Sequence, residues 1–154
     1  MVDVPLGAAG VPPAEVEEVE LYHPKSWLTH YVFSQDAKII AVQYSVTALS
    51  IGLVALMLSW LMRLQLAFPG ALSFIDADAY YQLITMHGMM MVVYVLTALF
   101  LGGFGNYLIP LMLGARDMVF PYANMLSFWF YLLAVVVLFA SFAVPGGPTG
   151  AGWT

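Results

Sequence analysis

Three long stretches without Asp, Glu, Lys or Arg dominate the pattern of polar and apolar residues in this chain of 154 residues. They run from Ile39 to Met62, from Ala79 to Ala115, and from Pro121 to about Val144. Each exceeds the roughly 20 apolar residues that a helix needs to cross a bilayer. The pattern therefore predicts an all-α integral membrane protein with three transmembrane helices.

Turn and capping residues separate these three spans. Pro69-Gly70 is a turn signal after the first span. Either Asp76 or Asp78 is suited to cap the second helix. Pro121 fits the first turn of the third helix, where its missing N–H costs nothing. The first span is predicted to end at Arg63 and the second helix to start near Ala79.

Two segments of different character precede the first span. Residues 1–21 are rich in proline, glycine and glutamate and lack the features of a signal or import sequence, so a flexible acidic tail is predicted. Residues 22–36 are aromatic and mixed in polarity, which is typical of a segment at the membrane interface. Residues 37–154 form the remaining, three-helix part. His23 and His30 in the interfacial segment are either a metal-binding pair or, as we favour, ordinary interfacial residues.

The composition supports the membrane interpretation and excludes several functions. Hydrophobic residues make up 62% of the chain and charged residues only 8%, which is typical of an integral membrane protein. The absence of cysteine excludes disulfides, thiolate metal sites and thiol catalysis. Only four Lys and Arg residues are present, too few for the basic patch that nucleic-acid binding requires.

The second span differs from the other two in its polar and conformational residues. Its glycines in Gly102–Gly105, together with Pro110, predict a bent or loosened second half. It also holds His87, about two turns from its start, and a histidine at membrane depth is costly unless something pairs with it. Either the imidazole of His87 hydrogen-bonds a neighbouring helix and only helps packing, or one ring nitrogen binds a metal, with heme iron as the leading choice. Gly88 would let a flat cofactor approach, while the methionines at 89–91 offer either a polarisable lining or plain packing.

The distribution of Lys and Arg predicts the orientation of the chain. Lys25, Lys38 and Arg116 fall on the side of the N-terminus, whereas Arg63 falls on the other side. The positive-inside rule therefore places the N-terminus in the cytoplasm. Arg63 is then near the outer surface, where it is either a snorkelling side chain or a functional cation in the same outer cluster as His87.

A second polar cluster is predicted at the inner surface. Asn106 lies nineteen residues after His87, Asp117 follows in the inner loop, and Asn124 begins the third helix. Asp117 either pairs with Arg116 or caps a turn, or it forms a proton entry in which a carboxylate at the surface is followed by amides that hold water.

The residues in these clusters carry a resemblance to a known family. His87-Gly88, the run Gly102–Trp129 and the closing Gly150–Trp153 resemble subunit I of the heme–copper oxygen reductases, of the bacterial aa3-like cytochrome c oxidase kind. The likeness extends from about Asp36 to Thr154. It implies that the chain supplies the first three helices of a subunit that has about twelve. The chain would then be a fragment, or one piece of a split subunit, and inactive on its own.

The resemblance implies a role for each residue of the two clusters. His87 matches an axial ligand of the low-spin heme, and Arg63 matches the arginine at the edge of that heme, which would be heme A. Asp117 matches the aspartate at the mouth of a proton pathway. Asn106 and Asn124 match asparagines just inside that pathway, and Tyr44 aligns with a tyrosine of the first helix near the same water chain.

The chain also departs from the family pattern. Where the family usually has Arg-Met-Asn-Asn after Phe-Pro, this chain has 122–125 Tyr-Ala-Asn-Met, which alters the predicted pathway entrance. The ligands of the second heme and of copper belong to later helices. A quinol oxidase is the alternative within the family, but Val54, Leu58 and Ala79 replace three residues of its quinol site and only Gln82 is retained.

The function implied is that of a terminal respiratory oxidase, which transfers electrons from cytochrome c to oxygen and pumps protons. The expected partners are the remainder of subunit I, subunits II and III, cytochrome c and the lipid bilayer. The expected location is the bacterial cytoplasmic membrane, with several spans and the N-terminus in the cytoplasm. A membrane or assembly module that binds no heme is the alternative from another class.

Overall fold

The computed structural model describes residues 26–152, which form helices that run back and forth. A short helix α1 (Trp27–Tyr31) leads into the long helix α2 (Ala37–Ala67). Helix α3 spans Ala77–Leu113, and α4 (Pro121–Ala140) continues into a 3₁₀ turn (Ser141–Ala143). Helices α2, α3 and α4 with its 3₁₀ turn are each long and apolar enough to cross a membrane, and the described residues contain no strand. The predicted all-α fold with three membrane-spanning helices is confirmed.

The helix ends follow the local capping chemistry, with two corrections to the sequence-based boundaries. Helix α2 continues to Ala67, so Arg63 lies inside its last turns rather than at its end. Helix α3 starts at Ala77, because the carboxylate of Asp76 accepts a hydrogen bond from the Ala79 N–H at 2.8 Å. Asp76 is therefore the cap. His87 lies about 15 Å into the helix, which is nearly three turns rather than the predicted two. Pro121 occupies the first turn of α4, as predicted.

The middle of α3 has wider turns than an α-helix. Residues Met90–Gly105 form a π-helix between the α-helical parts Ala77–Met89 and Asn106–Leu113. The predicted loosening is present, but it begins well before the glycines, and Pro110 lies in the regular α-helical part. The wide turns include all three glycines of the predicted segment, Gly102, Gly103 and Gly105. Two of these, Gly102 and Gly103, also contact α2.

Close contact between α2 and α3 depends on Gly102 and Gly103. A Cβ atom added to Gly102 would lie 2.5 Å from the ring of Tyr44, and one added to Gly103 would lie 2.6 Å from the Ser45 hydroxyl oxygen. Both glycines are buried. Small residues let two membrane helices approach backbone to side chain, which is how such helices gain packing energy in the absence of water.

We expect Gly102→Ala to destabilise the protein by about 1–3 kcal/mol, the usual cost of overpacking a tight interior. The added methyl group meets a rigid ring that is itself buried, so relief requires a shift of α3. A lowered thermal unfolding midpoint of the purified protein would show the effect. Gly105→Ala is the matched control, because the nearest atom to its Cβ, the Phe100 carbonyl oxygen, is 3.5 Å away. Equal midpoints for the two variants would contradict the prediction.

The apolar core consists of two clusters, one at each end of the α2–α3 contact. The cluster nearer to the α2–α3 connection contains Ile51, Ala55, Leu58, Met86, Met90, Val135 and Leu138. The other cluster contains Ile40, Tyr44, Ala48, Ala98 and Phe128. Each cluster joins all three long helices, so each holds one end of the bundle together.

The segment after the last helix folds back onto the start of α3. The Gln82 side-chain amide donates a hydrogen bond to the Gly146 carbonyl at 2.9 Å. The Gly152 N–H donates to the Thr85 hydroxyl at 3.2 Å. Gly147 has a φ of +74° and lies against Gln82, so this turn suits glycine both conformationally and sterically.

Most of the surface of the three spans is left uncovered by their mutual contacts. Within the most hydrophobic window of each helix, 33% of α2, 22% of α3 and 17% of α4 with its 3₁₀ turn is buried. Exposed apolar faces of this size are suited to contact lipid or further helices.

Candidate functional site

His87 is held by a backbone carbonyl of the neighbouring helix. Its Nδ1 lies 2.9 Å from the carbonyl oxygen of Ala55 in α2. Ala55 is fully buried, and its small side chain lets the two helices approach at this level. The side chain of His87 is half-buried between them. The structure therefore gives the imidazole the pairing that its depth in the membrane requires.

This hydrogen bond also determines which ring nitrogen of His87 is free. A carbonyl oxygen can only accept, so Nδ1 must carry the proton and donate it. Nε2 of the neutral ring then keeps its lone pair and is the nitrogen available to a metal. Fixing a histidine ligand by an N–H···O=C bond on its other nitrogen is the usual arrangement around protein metals. The contact thus satisfies both the packing interpretation and the metal interpretation.

The methionines near His87 divide into packing residues and a more exposed one. Met86 and Met90 are 3% and 0% exposed and belong to the core cluster with Ala55. Met91 is 40% exposed. Of the predicted polarisable lining, Met90 is therefore a core residue, and only its neighbours have surface left to meet a cofactor.

Arg63 lies on the same helix as the partner of His87 but closer to the α2–α3 connection. It follows Ala55 by eight residues, which corresponds to roughly 12 Å along the α2 axis. Its side chain is exposed. The described residues thus leave the guanidinium accessible, and its role as a snorkelling or a functional cation stays a prediction.

Asp117 lies in the connection between α3 and α4 and caps the start of α2. Its Oδ1 accepts hydrogen bonds from the Ala37 N–H at 3.1 Å and from the Met118 N–H at 2.8 Å. Ala37 is the first residue of α2, and Asp36 caps the same end through the Lys38 N–H at 2.8 Å. Two carboxylates at a helix N-terminus are favoured by the free N–H groups and the helix dipole. Asp117 therefore has a structural contact, and its carboxylate is still exposed.

A short hydrogen-bonded chain connects Tyr44 in α2 to the start of α4. The hydroxyl of Ser127 donates to the Asn124 carbonyl at 2.6 Å. Its single proton is thereby used, so the Tyr44 hydroxyl donates to Ser127 Oγ across 2.9 Å. The chain connects Tyr44, a member of the apolar cluster, to the exposed Ser127 at its edge.

The two asparagines differ in how well they are satisfied. Asn106 is 5% exposed, and its Nδ2 donates to the Gly102 carbonyl at 2.7 Å. The Nδ2 of Asn124 is buried and has no hydrogen-bond partner among the described residues. A buried amide without a partner is costly, and such groups in proteins usually bind an ordered water.

The residues predicted to lie at the inner surface form a column along α2. Asp117 contacts Ala37, and Tyr44 lies two turns further on the same face of the helix, roughly 10 Å away. At the Tyr44 level, Gly102 touches the ring, and Asn106 bonds to the Gly102 carbonyl. The structure therefore brings the predicted inner residues into two adjoining levels, with Asn124 linked through Ser127.

Two groups that take part in these sites were not among the residues predicted from the sequence: the Ala55 carbonyl and Ser127. The Ala55 carbonyl carries no sequence signal, because every residue has one. Ser127 has a signal that was available: it follows Asn124 by three residues, so the two share one face of a helix. Of the proposed histidine pair, His30 packs edge-on against Tyr31 at 4.3 Å between ring centroids, while His23 lies outside the described residues.

A bundle of membrane-spanning helices with an internally bonded histidine defines the class of protein: a multi-pass membrane protein with a candidate intramembrane metal ligand. Residues 39–154 match the family model described as "Cytochrome C and Quinol oxidase polypeptide I". This chain belongs to that family, the subunit I family of the heme–copper oxidases, as the resemblance in the sequence indicated.

Individual relatives agree with the family. The whole chain is 77% identical to "Alternative cytochrome c oxidase subunit 1" of Bradyrhizobium diazoefficiens and corresponds to 26% of that protein. It is 42% identical to "Cytochrome c oxidase subunit 1" of Thermostichus vulcanus, over 86% of this chain and 24% of the relative. A "Heme-copper oxidase subunit I+III" of Aeropyrum pernix is 41% identical over 84% of this chain and 16% of the relative. The chain thus spans about a quarter or less of the length of these relatives.

Proposed function

We propose that this chain is the part of a cytochrome c oxidase subunit I that supplies one axial ligand of the low-spin heme and the entrance of a proton pathway. The oxidase would transfer electrons from cytochrome c to oxygen and pump protons across the bacterial cytoplasmic membrane. Its partners would be the remainder of subunit I, subunits II and III, and cytochrome c. The second heme and copper would bind residues that this chain does not contain.

The observation that carries the proposal is the hydrogen bond between His87 Nδ1 and the Ala55 carbonyl. It leaves Nε2 as the free coordinating atom. Residues 26–152 contain no group of three or more metal-binding side chains, so a metal there needs most of its ligands from elsewhere. A heme supplies four nitrogens of its own and requires only axial ligands from protein. Gly88 carries no side chain next to His87, which suits the approach of a flat ring.

Bound at His87, the heme would relay single electrons, and the protein would set its potential. The ring of His87 is oriented by α2, so the iron would be tied to the α2–α3 contact rather than to a mobile loop. Heme A is the expected type from the family resemblance. A reduced-minus-oxidised spectrum of the purified complex, with pyridine extraction of the heme, tests this assignment; a complex without low-spin heme would refute it.

The choice of cytochrome c over quinol as electron donor rests on two residues of α2 and two of the first turns of α3. Three residues of the quinol site are replaced by Val54, Leu58 and Ala79, as described above. Gln82, the retained one, donates to the Gly146 carbonyl and so has a structural role in this chain. Oxygen uptake with reduced cytochrome c, but not with a soluble quinol, is expected from the assembled oxidase.

The inner column supports a proton entrance. Asp117 offers an exposed carboxylate. The Asn124 amide, which has no hydrogen-bond partner among residues 26–152, is suited to bind water. Water held between the two levels would let protons pass from Asp117 toward Tyr44 and Asn106 by hydrogen-bond exchange. Loading on the cytoplasmic side requires the N-terminus to face the cytoplasm. Protease access to an N-terminal tag, in vesicles of known orientation, tests this placement.

We expect Arg63→Met to lower the reduction potential of the low-spin heme and to shift its optical band. A nearby cation stabilises the electron-rich reduced state, so its removal favours the oxidised state. Redox titration followed at the low-spin band measures the change. Arg63→Lys is the matched control, since it keeps the charge; it should retain most of the parent potential. If Arg63→Met titrates like the parent, Arg63 is a snorkelling residue.

A further inference from the structure

A groove of about 550 Å³ opens between the N-terminal end of α2 and the C-terminal end of α3. Both membrane-spanning helices end here, at Ala37 and at Leu113, so the groove lies where the hydrocarbon layer gives way to lipid headgroups. The lining residues come from both helices and from the turn after α3: Ala37, Lys38, Tyr107, Pro110, Leu111, Ala115 and Arg116.

Two cations from different elements line this groove. Lys38 is in the first turn of α2, and Arg116 lies in the connection after α3; both are exposed. The nearby acids Asp36 and Asp117 are not part of the lining, because their carboxylates turn toward the backbone N–H groups that open α2. The side chains that face the groove are therefore cationic at its polar end. The two cations and the two nearby acids together carry no net charge.

The rest of the lining is apolar and runs along α3. Pro110 is buried, whereas Leu111 and Tyr107 are about half exposed, at 52% and 46%. Tyrosine is enriched at the level of lipid headgroups, where its ring lies among chains and its hydroxyl reaches water. The groove thus has a cationic end at the membrane surface and an apolar wall that continues toward the membrane interior.

We propose that this groove binds one acidic phospholipid, with its phosphate between Lys38 and Arg116 and an acyl chain along Pro110 and Leu111. Basic pockets between transmembrane helices are suited to acidic headgroups. A zwitterionic lipid brings an ammonium group to the same two cations and loses the net attraction. A free phosphate ion lacks the chain that the apolar wall would cover. The inference needs only the membrane placement of the helices, so it stands or fails independently of the heme and proton assignments.

The test is native mass spectrometry of the assembled, delipidated membrane complex after titration with dioleoyl phosphatidylglycerol or dioleoyl phosphatidylcholine. The parent should retain one more phosphatidylglycerol than the double variant Lys38→Gln/Arg116→Gln. That variant's affinity for phosphatidylglycerol should fall at least about tenfold, since both basic residues that attract the acidic headgroup are lost. The charge-preserving control Lys38→Arg/Arg116→Lys should retain the lipid.

A second variant tests the apolar part of the groove without touching the charges. Ala115→Trp places a large ring in the groove, and its backbone N–H can still donate to the Pro110 carbonyl as in the parent. It should also lose one phosphatidylglycerol. Equal retention of phosphatidylglycerol by the parent and both test variants would overturn the proposal. The proposal would also fail if the parent retained phosphatidylcholine as well as it retains phosphatidylglycerol, or if millimolar inorganic phosphate displaced the lipid. It would fail too if another part of the complex filled the groove and admitted no lipid.

Discussion

His87→Ala is expected to remove nearly all low-spin heme from the assembled oxidase. The substitution deletes the ring nitrogen that faces away from α2, and with it the coordinating lone pair. It also leaves a hole in a packed contact, so some loss of stability accompanies the loss of heme. The measurement is heme content per complex from the reduced-minus-oxidised spectrum, together with the amount of complex assembled.

A second substitution at the same position separates ligation from packing. The side chain of His87→Gln fills most of the space, and its amide can still donate to the Ala55 carbonyl, but it is a poor iron ligand. Both variants should lack low-spin heme if His87 is a ligand. His30→Ala, in the short helix α1, is the control and should keep the full content. Normal low-spin heme in His87→Gln would show that the imidazole only fills space.

Asp117→Asn is expected to slow oxygen consumption by about a hundredfold, the lower end of what a positioned proton-transfer group contributes. The amide oxygen of asparagine can accept the same two hydrogen bonds from Ala37 and Met118, so the α2 cap survives. Only the titratable charge is removed. Reduction of the low-spin heme by the electron donor should stay normal, while oxygen uptake and proton release from vesicles both fall.

Asp36→Asn provides a closely matched control for this experiment. Asp36 is also exposed and also caps α2, through the Lys38 N–H, but nothing assigns it to the pathway. Its amide variant should turn over at the parent rate. If Asp117→Asn did the same, with undiminished proton release, Asp117 would be a cap alone. Heme loss in Asp117→Asn would instead indicate that the charge matters for assembly.

The sequence predicted the fold class well because its strongest signal is the one that the membrane imposes. Uncharged stretches longer than a bilayer leave no alternative to helices, whose backbone groups are satisfied internally. An aspartate cap at position 76 or 78 and Pro121 at the start of α4 were predictable because they follow from local chemistry, although only the structure shows that Asp76 is the cap. The end of α2 was misjudged at Arg63, because a charged residue ends an apolar run without ending the helix.

The local geometry of α3 was predicted only in part. Glycine and proline were interpreted as sources of bending or loosening, and Gly102 and Gly103 do lie in the wide π-helical turns. Their contact with α2 was not predicted. Whether a glycine in a membrane helix makes such a contact depends on the residue of the neighbouring helix that faces it. The sequence of one helix alone does not reveal that residue. The residue types of the candidate sites were predictable, since a lone histidine or carboxylate near a membrane is conspicuous. Their partners, the Ala55 carbonyl and the α2 N-terminus, became visible only with the helices in place.

The bond from His87 to the Ala55 carbonyl would pass unnoticed in a scan of side-chain substitutions. Any residue that keeps α2 helical at position 55 presents the same acceptor, so no replacement there abolishes the bond while leaving the packing intact. A larger residue at position 55 would instead destabilise the protein through steric crowding, since Ala55 is 0% exposed. Side-chain substitutions at position 55 therefore leave the hydrogen bond that orients the His87 ring available. Only a change in the backbone itself, such as an ester in place of an amide, would expose how much that orientation matters.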